Sequence, residues 1–197
     1  MRKDFIYLAS ASPRRCALLE QIGVPFQARP AAVCEARRPR ELVGAYVTRV
    51  ARDKADKIWD EVAASEARPV LAADTAIVID RRILGKPRDT EEALQMLADL
   101  SGRSHRVLTA VVVRYGSRVL SELSASKVRF RVTTERERLA YCATGEPLDK
   151  AGSYAIQGMG AIFIEHISGS YSSVMGLPVA VTALLLAEFG CPTWLDH

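Results

Sequence analysis

Ile6-Tyr7-Leu8-Ala9-Ser10-Ala11-Ser12-Pro13-Arg14-Arg15 is the stretch whose reading decides the fold class. An apolar run ends in small hydroxyl residues and then in two adjacent arginines, the pattern of a strand passing into a helix start. Ser12 is placed to N-cap a helix whose first position is Pro13, where the missing amide proton costs nothing. Ala17, Leu18 and Leu19 carry that helix to a stop at Gly23. Helix-start amides, the hydroxyls of Ser10 and Ser12 and the forks of Arg14 and Arg15 then converge on one point, which suits a phosphate group. The plainer alternative is a capped helix with two solvated arginines.

Outward from this stretch, strand and helix patterns alternate. Strands are expected over 5–10, 70–79, 104–114, 118–130 and 161–167, and helices over 13–22, 40–61, 90–100, 134–143 and 177–189. Asp89 before Thr90 starts the third helix, and Thr134 with Glu137 three residues on is a capping-box pattern for the fourth. The alternation points to an α/β or α+β domain rather than a helical bundle. Pro25, Arg29, Pro30 and Pro39 mark an irregular, mobile segment between the first two helices, a loop of the kind that closes over substrate.

With 197 residues, 49% hydrophobic and 25% charged, the chain can bury a full core as one domain spanning 1–197. No segment is long enough to span a membrane. Cys16, Cys34, Cys142 and Cys191 are scattered, without C-x-x-C spacing, and read as reduced thiols of a cytoplasmic protein. The net charge of +4 is spread along the chain, which favours small polyanions over nucleic acid as partners.

Three further places carry chemistry. In Val70-Leu71-Ala72-Ala73-Asp74-Thr75-Ala76-Ile77-Val78-Ile79 a carboxylate interrupts an apolar strand. Partial burial raises the pKa of such a group and a nearby cation lowers it, so Asp74 is either tuned for proton transfer or ligation or is a turn residue at a strand end. Lys54 follows Val43, Val47 and Val50 on the apolar face of the second helix and either points into a cleft or snorkels to water. Gly85-Lys86-Pro87 is a turn that fixes a second lysine after the Asp74 strand. Finally, Asp149-Lys150-Ala151-Gly152-Ser153-Tyr154-Ala155-Ile156-Gln157-Gly158-Met159-Gly160 combines glycines that let a backbone approach a ligand with a Gln amide able to read a base edge; the alternative is a plain loop between strands.

Leu8-Ala9-Ser10-Ala11-Ser12-Pro13-Arg14-Arg15, Ala73-Asp74-Thr75, Gly85-Lys86-Pro87, Leu100-Ser101-Gly102-Arg103-Ser104-His105-Arg106-Val107-Leu108-Thr109, Asp149-Lys150-Ala151-Gly152, Ile156-Gln157-Gly158 and Gly169-Ser170-Tyr171 through Gly176-Leu177-Pro178, in this order and spacing, resemble the Maf family of nucleotide pyrophosphatases over almost the whole chain. The resemblance implies an α/β (mixed α+β) fold like that of the inosine-triphosphate pyrophosphatases, with a central twisted mixed sheet flanked by helices and two lobes around a cleft. It implies hydrolysis of nucleoside triphosphates to the monophosphate and pyrophosphate, with Asp74 as the proton acceptor. Arg14, Thr75 and Gln157 match the positions that set base specificity, and Ile156-Gln157-Gly158 looks like the branch acting on dTTP and UTP rather than on 7-methyl-GTP. Ser10, Arg15, Lys54 and Lys86 match positions suited to the triphosphate. Glu35 matches an acidic position implicated in activity, and with Asp74 it is a candidate ligand for Mg²⁺ or Mn²⁺. Family members often carry two acidic residues there, whereas Glu35 stands between Cys34 and Ala36. A homodimer, a house-cleaning role and a link to cell-division arrest belong to the same expectation. The rival from another class is a non-enzymatic, nucleic-acid-binding regulator of septum formation, against which the 7% aromatic content without aromatic-basic interleaving counts.

Overall fold

The computed structural model describes residues 4–191, 193 and 194. Its elements run β1 (Ile6–Leu8), α1 (Pro13–Gln21), β2 (Phe26–Ala28), α2 (Val43–Val62), β3 (Val70–Ile79), β4 (Arg82–Leu84), α3 (Thr90–Leu100), β5 (Ser104–Tyr115), β6 (Arg118–Phe130), α4 (Glu135–Cys142), β7 (Ile164–Ser168), α5 (Tyr171–Met175) and α6 (Val179–Ala187). Short 3₁₀ segments occupy Glu146–Asp149, Ala151–Ser153 and Met159–Phe163. The fold is mixed α/β, a seven-stranded sheet in the order β2-β1-β3-β5-β6-β7, with β4 paired to β3 off that path and helices flanking it. β1 runs parallel to β2 and to β3, pairings that need crossovers, which α1 and α2 supply. The β3–β4 and β6–β7 pairs are antiparallel. Among the described residues no helix is long and apolar enough to cross a membrane.

Two compact units divide the chain. The first comprises Met1–Asp74, Thr109–Ser124 and Gly176–His197. Two of its parallel strands, β1 and β3, are covered on both faces, so Ile6, Tyr7 and Leu8 are all buried, as are Val70 through Ala73. α2 buries Val47, Val50, Ala51, Lys54, Ala55, Ile58 and Val62, one stripe at spacings of three and four. The second unit comprises Thr75–Leu108 and Ala125–Met175. Its core holds Ile77, Leu97, Leu100, Phe130, Tyr154 and Phe163. Phe130 meets Tyr154 edge-on at 4.9 Å between ring centroids, a geometry favoured by the ring quadrupoles.

Several boundaries differ from those expected. α2 starts at Val43 rather than residue 40, because Arg40 has φ of 59° and the Glu41 carboxylate is taken by the Arg38 amide and Arg49. Ser12 is the N-cap of α1, but its side chain makes no cap bond; instead its amide donates to Ser10 Oγ at 3.1 Å. Residues 161–163 belong to a 3₁₀ turn, not to the strand that follows, and Pro178 caps α6, which therefore begins at Val179. The hairpin into β4 went unforeseen because its turn, Asp80-Arg81, has φ of 47° and 64°, the left-handed pair that such turns need, without the usual Gly or Asn. The Thr134 and Glu137 capping box is present as expected.

β3 positions the acidic site residue, so its packing is the fold's first requirement. Leu71 is wholly buried on it. Leu71→Ala is expected to cost about 2–5 kcal/mol of stability, read as a lower urea midpoint at unchanged slope; a loss below about 1 kcal/mol would mean that β3 is not a core strand.

Candidate active site

Lys54 lies on the buried stripe of α2, and the residue is only 8% exposed. A charge in that position must be paired. Nζ donates to Asp74 Oδ1 at 2.8 Å and meets Glu35 Oε1 at 2.6 Å. The lysine therefore does not snorkel to water; it joins two carboxylates that come from a helix-preceding loop and from the middle of a strand. Asp74, itself 8% exposed, does not sit at a strand end but within β3. Burial pushes its carboxyl above the usual range, the neighbouring Lys54 and Arg15 charges pull it back, and Glu35 adds to the rise.

Arg15, on the first turn of α1, is the second cation. Its Nε donates to the Gly176 carbonyl at 2.9 Å and its Nη1 to Ser10 Oγ at 3.2 Å. Ser10 thus holds two donors, the Ser12 amide and the Arg15 guanidinium, on one oxygen. Burial lowers the Arg15 pKa while the charge of Asp74 works against that, and a guanidinium stays protonated throughout. Arg14 is half-buried beside it.

Glu35 is the exposed corner, with 54% of its side chain in solvent. The segment that carries it has no regular structure, as its prolines imply, yet it is tied to α2 at several points. Tyr46 Oη donates to the Glu35 carbonyl at 3.0 Å, and Arg49 Nη2 to the Ala36 carbonyl at 3.0 Å. Arg49 also grips Glu41 with both ends of its fork, at 2.7 and 3.0 Å, and this together with the Arg38 amide holds the Glu41 carboxyl down at about 2. Tyr46 was missed by sequence reasoning. Its signal was the spacing Tyr46, Val50, Lys54, which stacks it on the face of the paired lysine. Burial raises the Tyr46 pKa, and the charges of Asp74 and Glu35 raise it further.

Ser10, Arg15, Glu35, Lys54 and Asp74 are thus linked through hydrogen bonds, ion pairs and neighbouring charges in the first unit. Thr75 follows Asp74 on β3, half-buried, and strand alternation turns it to the opposite face. Lys86 is exposed in the irregular stretch after β4, and Gln157 is exposed in a turn; both belong to the second unit.

Among the described residues no group of three Asp, Glu, His or Cys side chains is placed to hold a metal. Glu35 and Asp74 nevertheless face one cation, the Lys54 ammonium. Two hard carboxylates of this kind fit Mg²⁺ or Mn²⁺ when substrate phosphates supply the remaining oxygens, the usual way Mg²⁺ is held, rather than an all-protein cage.

Residues 5–189 match the family model described as Maf-like protein. The chain is 50% identical over 187 residues to a dTTP/UTP pyrophosphatase of Chromobacterium violaceum, covering 94% of each chain. It is 48% identical over 191 residues to a protein of the same name from Bordetella avium, covering 94% of this chain and 95% of that one. With the dTTP/UTP pyrophosphatase of Shigella sonnei it shares 46% identity over 184 residues, 93% of this chain and 92% of the relative.

The environment of Asp74 has a thermodynamic consequence. Because its folded pKa lies above the unfolded value, the native state binds the extra proton between the two, and its contribution to stability is lost as pH rises through that window. Asp74→Asn lacks this dependence. The wild-type melting temperature minus that of Asp74→Asn is expected to fall as pH is raised from about 4 upward; a difference that grows with pH would mean that the cations, not burial, dominate at Asp74.

Proposed function

This chain belongs to the Maf family, and on that premise we propose that it is a nucleoside triphosphate pyrophosphatase that hydrolyses dTTP and UTP to the monophosphate and pyrophosphate. One observation carries the reading: a buried Lys54 joined to Asp74 and Glu35, with Arg15 alongside, in a chain whose relatives at 46–50% identity bear that activity as their name. Hydrolysis forms a bond from water oxygen to the α phosphorus and breaks the bond from that phosphorus to the bridging oxygen, so that pyrophosphate departs with the bond's electrons. The water must lose a proton and the leaving group must have its charge met.

Asp74 accepts the proton. A carboxyl raised above the ordinary aspartate range is a better base, and Lys54 limits that rise and fixes its orientation through the 2.8 Å bond. Arg15, its guanidinium steered by Ser10 and by the Gly176 carbonyl, offers charge to phosphate oxygens. Lys86 supplies a further cation for the triphosphate. Glu35 and Asp74 would hold Mg²⁺ or Mn²⁺ with phosphate oxygens, and such an ion supplies Lewis-acid neutralisation of the developing charge.

Base choice is assigned to Arg14, Thr75 and Gln157, which stand at the family's specificity positions. The planar amide of Gln157 offers an acceptor and donors, complementary to the carbonyl and ring N–H that uracil and thymine share. A site that hydrogen-bonds a base edge rejects the wrong base strongly, since its own polar groups are then left unpaired. The enzyme works in the cytoplasm, where four free thiols stay reduced.

A pyrophosphate-release assay over dTTP, UTP, ATP, GTP and 7-methyl-GTP tests this reading. The wild type should turn over dTTP and UTP well ahead of the purines, and Asp74→Asn should lose about 10²–10⁴ in rate while still binding nucleotide. Preference for 7-methyl-GTP would overturn the substrate assignment, and near-wild-type turnover by Asp74→Asn would overturn the assignment of the base.

A further inference from the structure

Gln157 sits in a turn between buried Ile156 and the 3₁₀ segment Met159–Phe163. The turn's own closing bond, from the Gly158 amide to the Ala155 carbonyl, is long at 3.3 Å. What holds it comes from elsewhere in the chain. Glu146 Oε2 accepts the Met159 amide at 3.1 Å, and its Oε1 accepts both the Gly160 amide at 3.2 Å and the Tyr141 hydroxyl at 2.7 Å. Tyr141 Oη in turn accepts the Ala155 amide at 3.1 Å. Backbone on both sides of Gln157 is therefore fastened to one tyrosine–carboxylate pair.

The glycines explain themselves by the same contacts. A Cβ at position 158 would overlap both carboxylate oxygens of Glu146, and one at 160 would come within 2.6 Å of Tyr141 Oη. Gly158 has φ of −109°, open to any residue, so glycine is there for room and not for backbone freedom. The space that the sequence pattern assigned to an approaching ligand is filled at these two positions by the protein's own side chains. Burial alone would raise the Glu146 carboxyl, but the Tyr141 hydroxyl, the two amides and Lys150 outweigh it and leave it below the usual range, charged at neutral pH.

We propose that Glu146 is a positioning residue for base selection: through the Met159 and Gly160 amides and Tyr141 it fixes the turn that aims the Gln157 amide. This rests on the reading of Gln157 as a base-contacting residue. Glu146 touches no substrate; it acts by removing the turn's freedom, so its loss lets the Gln157 amide wander and weakens discrimination more than it slows chemistry. Orientation errors of about 1 Å at a reacting or recognising group can cost on the order of a hundredfold.

The test is the ratio of kcat/KM for dTTP to that for GTP, measured by pyrophosphate release in the wild type, Gln157→Ala, Glu146→Gln, Gly158→Ala and the double variant Glu146→Gln/Gln157→Ala. Glu146→Gln and Gly158→Ala should each lower the ratio by about ten- to a hundredfold. In the Gln157→Ala background Glu146→Gln should lower it no further. An equal fall on both nucleotides marks a merely structural role and overturns the proposal, as does a further drop of the ratio in the double variant. A ratio that falls in Gln157→Ala but not in Glu146→Gln or Gly158→Ala overturns the proposal alone; a ratio unmoved by Gln157→Ala overturns the reading beneath it. If melts show Glu146→Gln unfolded, Tyr141→Phe, which removes one hydroxyl, is read by the same criteria.

Discussion

A single ammonium taken out of water constrains the whole first unit. Lys54 occupies a place on α2 that Val50 and Ile58 would continue as apolar, and burying its charge is tolerable only if carboxylates meet it. Asp74 has to stand inside β3 to reach it, and Glu35 has to be brought in from an irregular segment. That second demand accounts for the ties to α2: Tyr46 and Arg49 hold the Glu35 and Ala36 carbonyls, and Glu41 anchors Arg49. Breaking a buried pair by removing one partner costs about 3–5 kcal/mol, so this arrangement is part of the folding of the unit as much as of its chemistry.

The same constraint divides labour among the charges. Burial raises the Asp74 carboxyl, while Lys54 and Arg15 limit the rise. Arg15 is held through Ser10 and the Gly176 carbonyl, so its position depends on the loop before α6 as well as on α1. The helix start anticipated at Ser12 is built differently from a simple cap. Ser10 is the hydroxyl that organises it, and Ser12 contributes its amide.

Where the signal was periodic, the sequence was legible. The long strands β3, β5 and β6, the helix α3 and the capping box of α4 lie within a residue or so of their expected bounds, because each is long and patterned. β2, β4 and α5 are only 3–5 residues long and carry no period, and the start of α2 is set by the left-handed backbone at Arg40 and by side-chain bonds to Glu41 that no local pattern announces. At the site, Lys54 and Asp74 were visible as charges in apolar surroundings, but that they would pair could not be read, since they lie 20 residues apart. Gly158 and Gly160 misled for a physical reason: a missing Cβ signals close approach without saying whether a ligand or the protein itself fills the space.

Burial raises the basicity of Asp74, and the Lys54 ammonium limits that rise. The most direct measurement is the pH dependence of kcat/KM for dTTP in the wild type and in Lys54→Met, which keeps the apolar stem and removes the charge. With the lowering influence of the ammonium gone, the acid limb of the profile should move to higher pH. An acid limb that stays in place would contradict the claim that Lys54 tempers the basicity of Asp74.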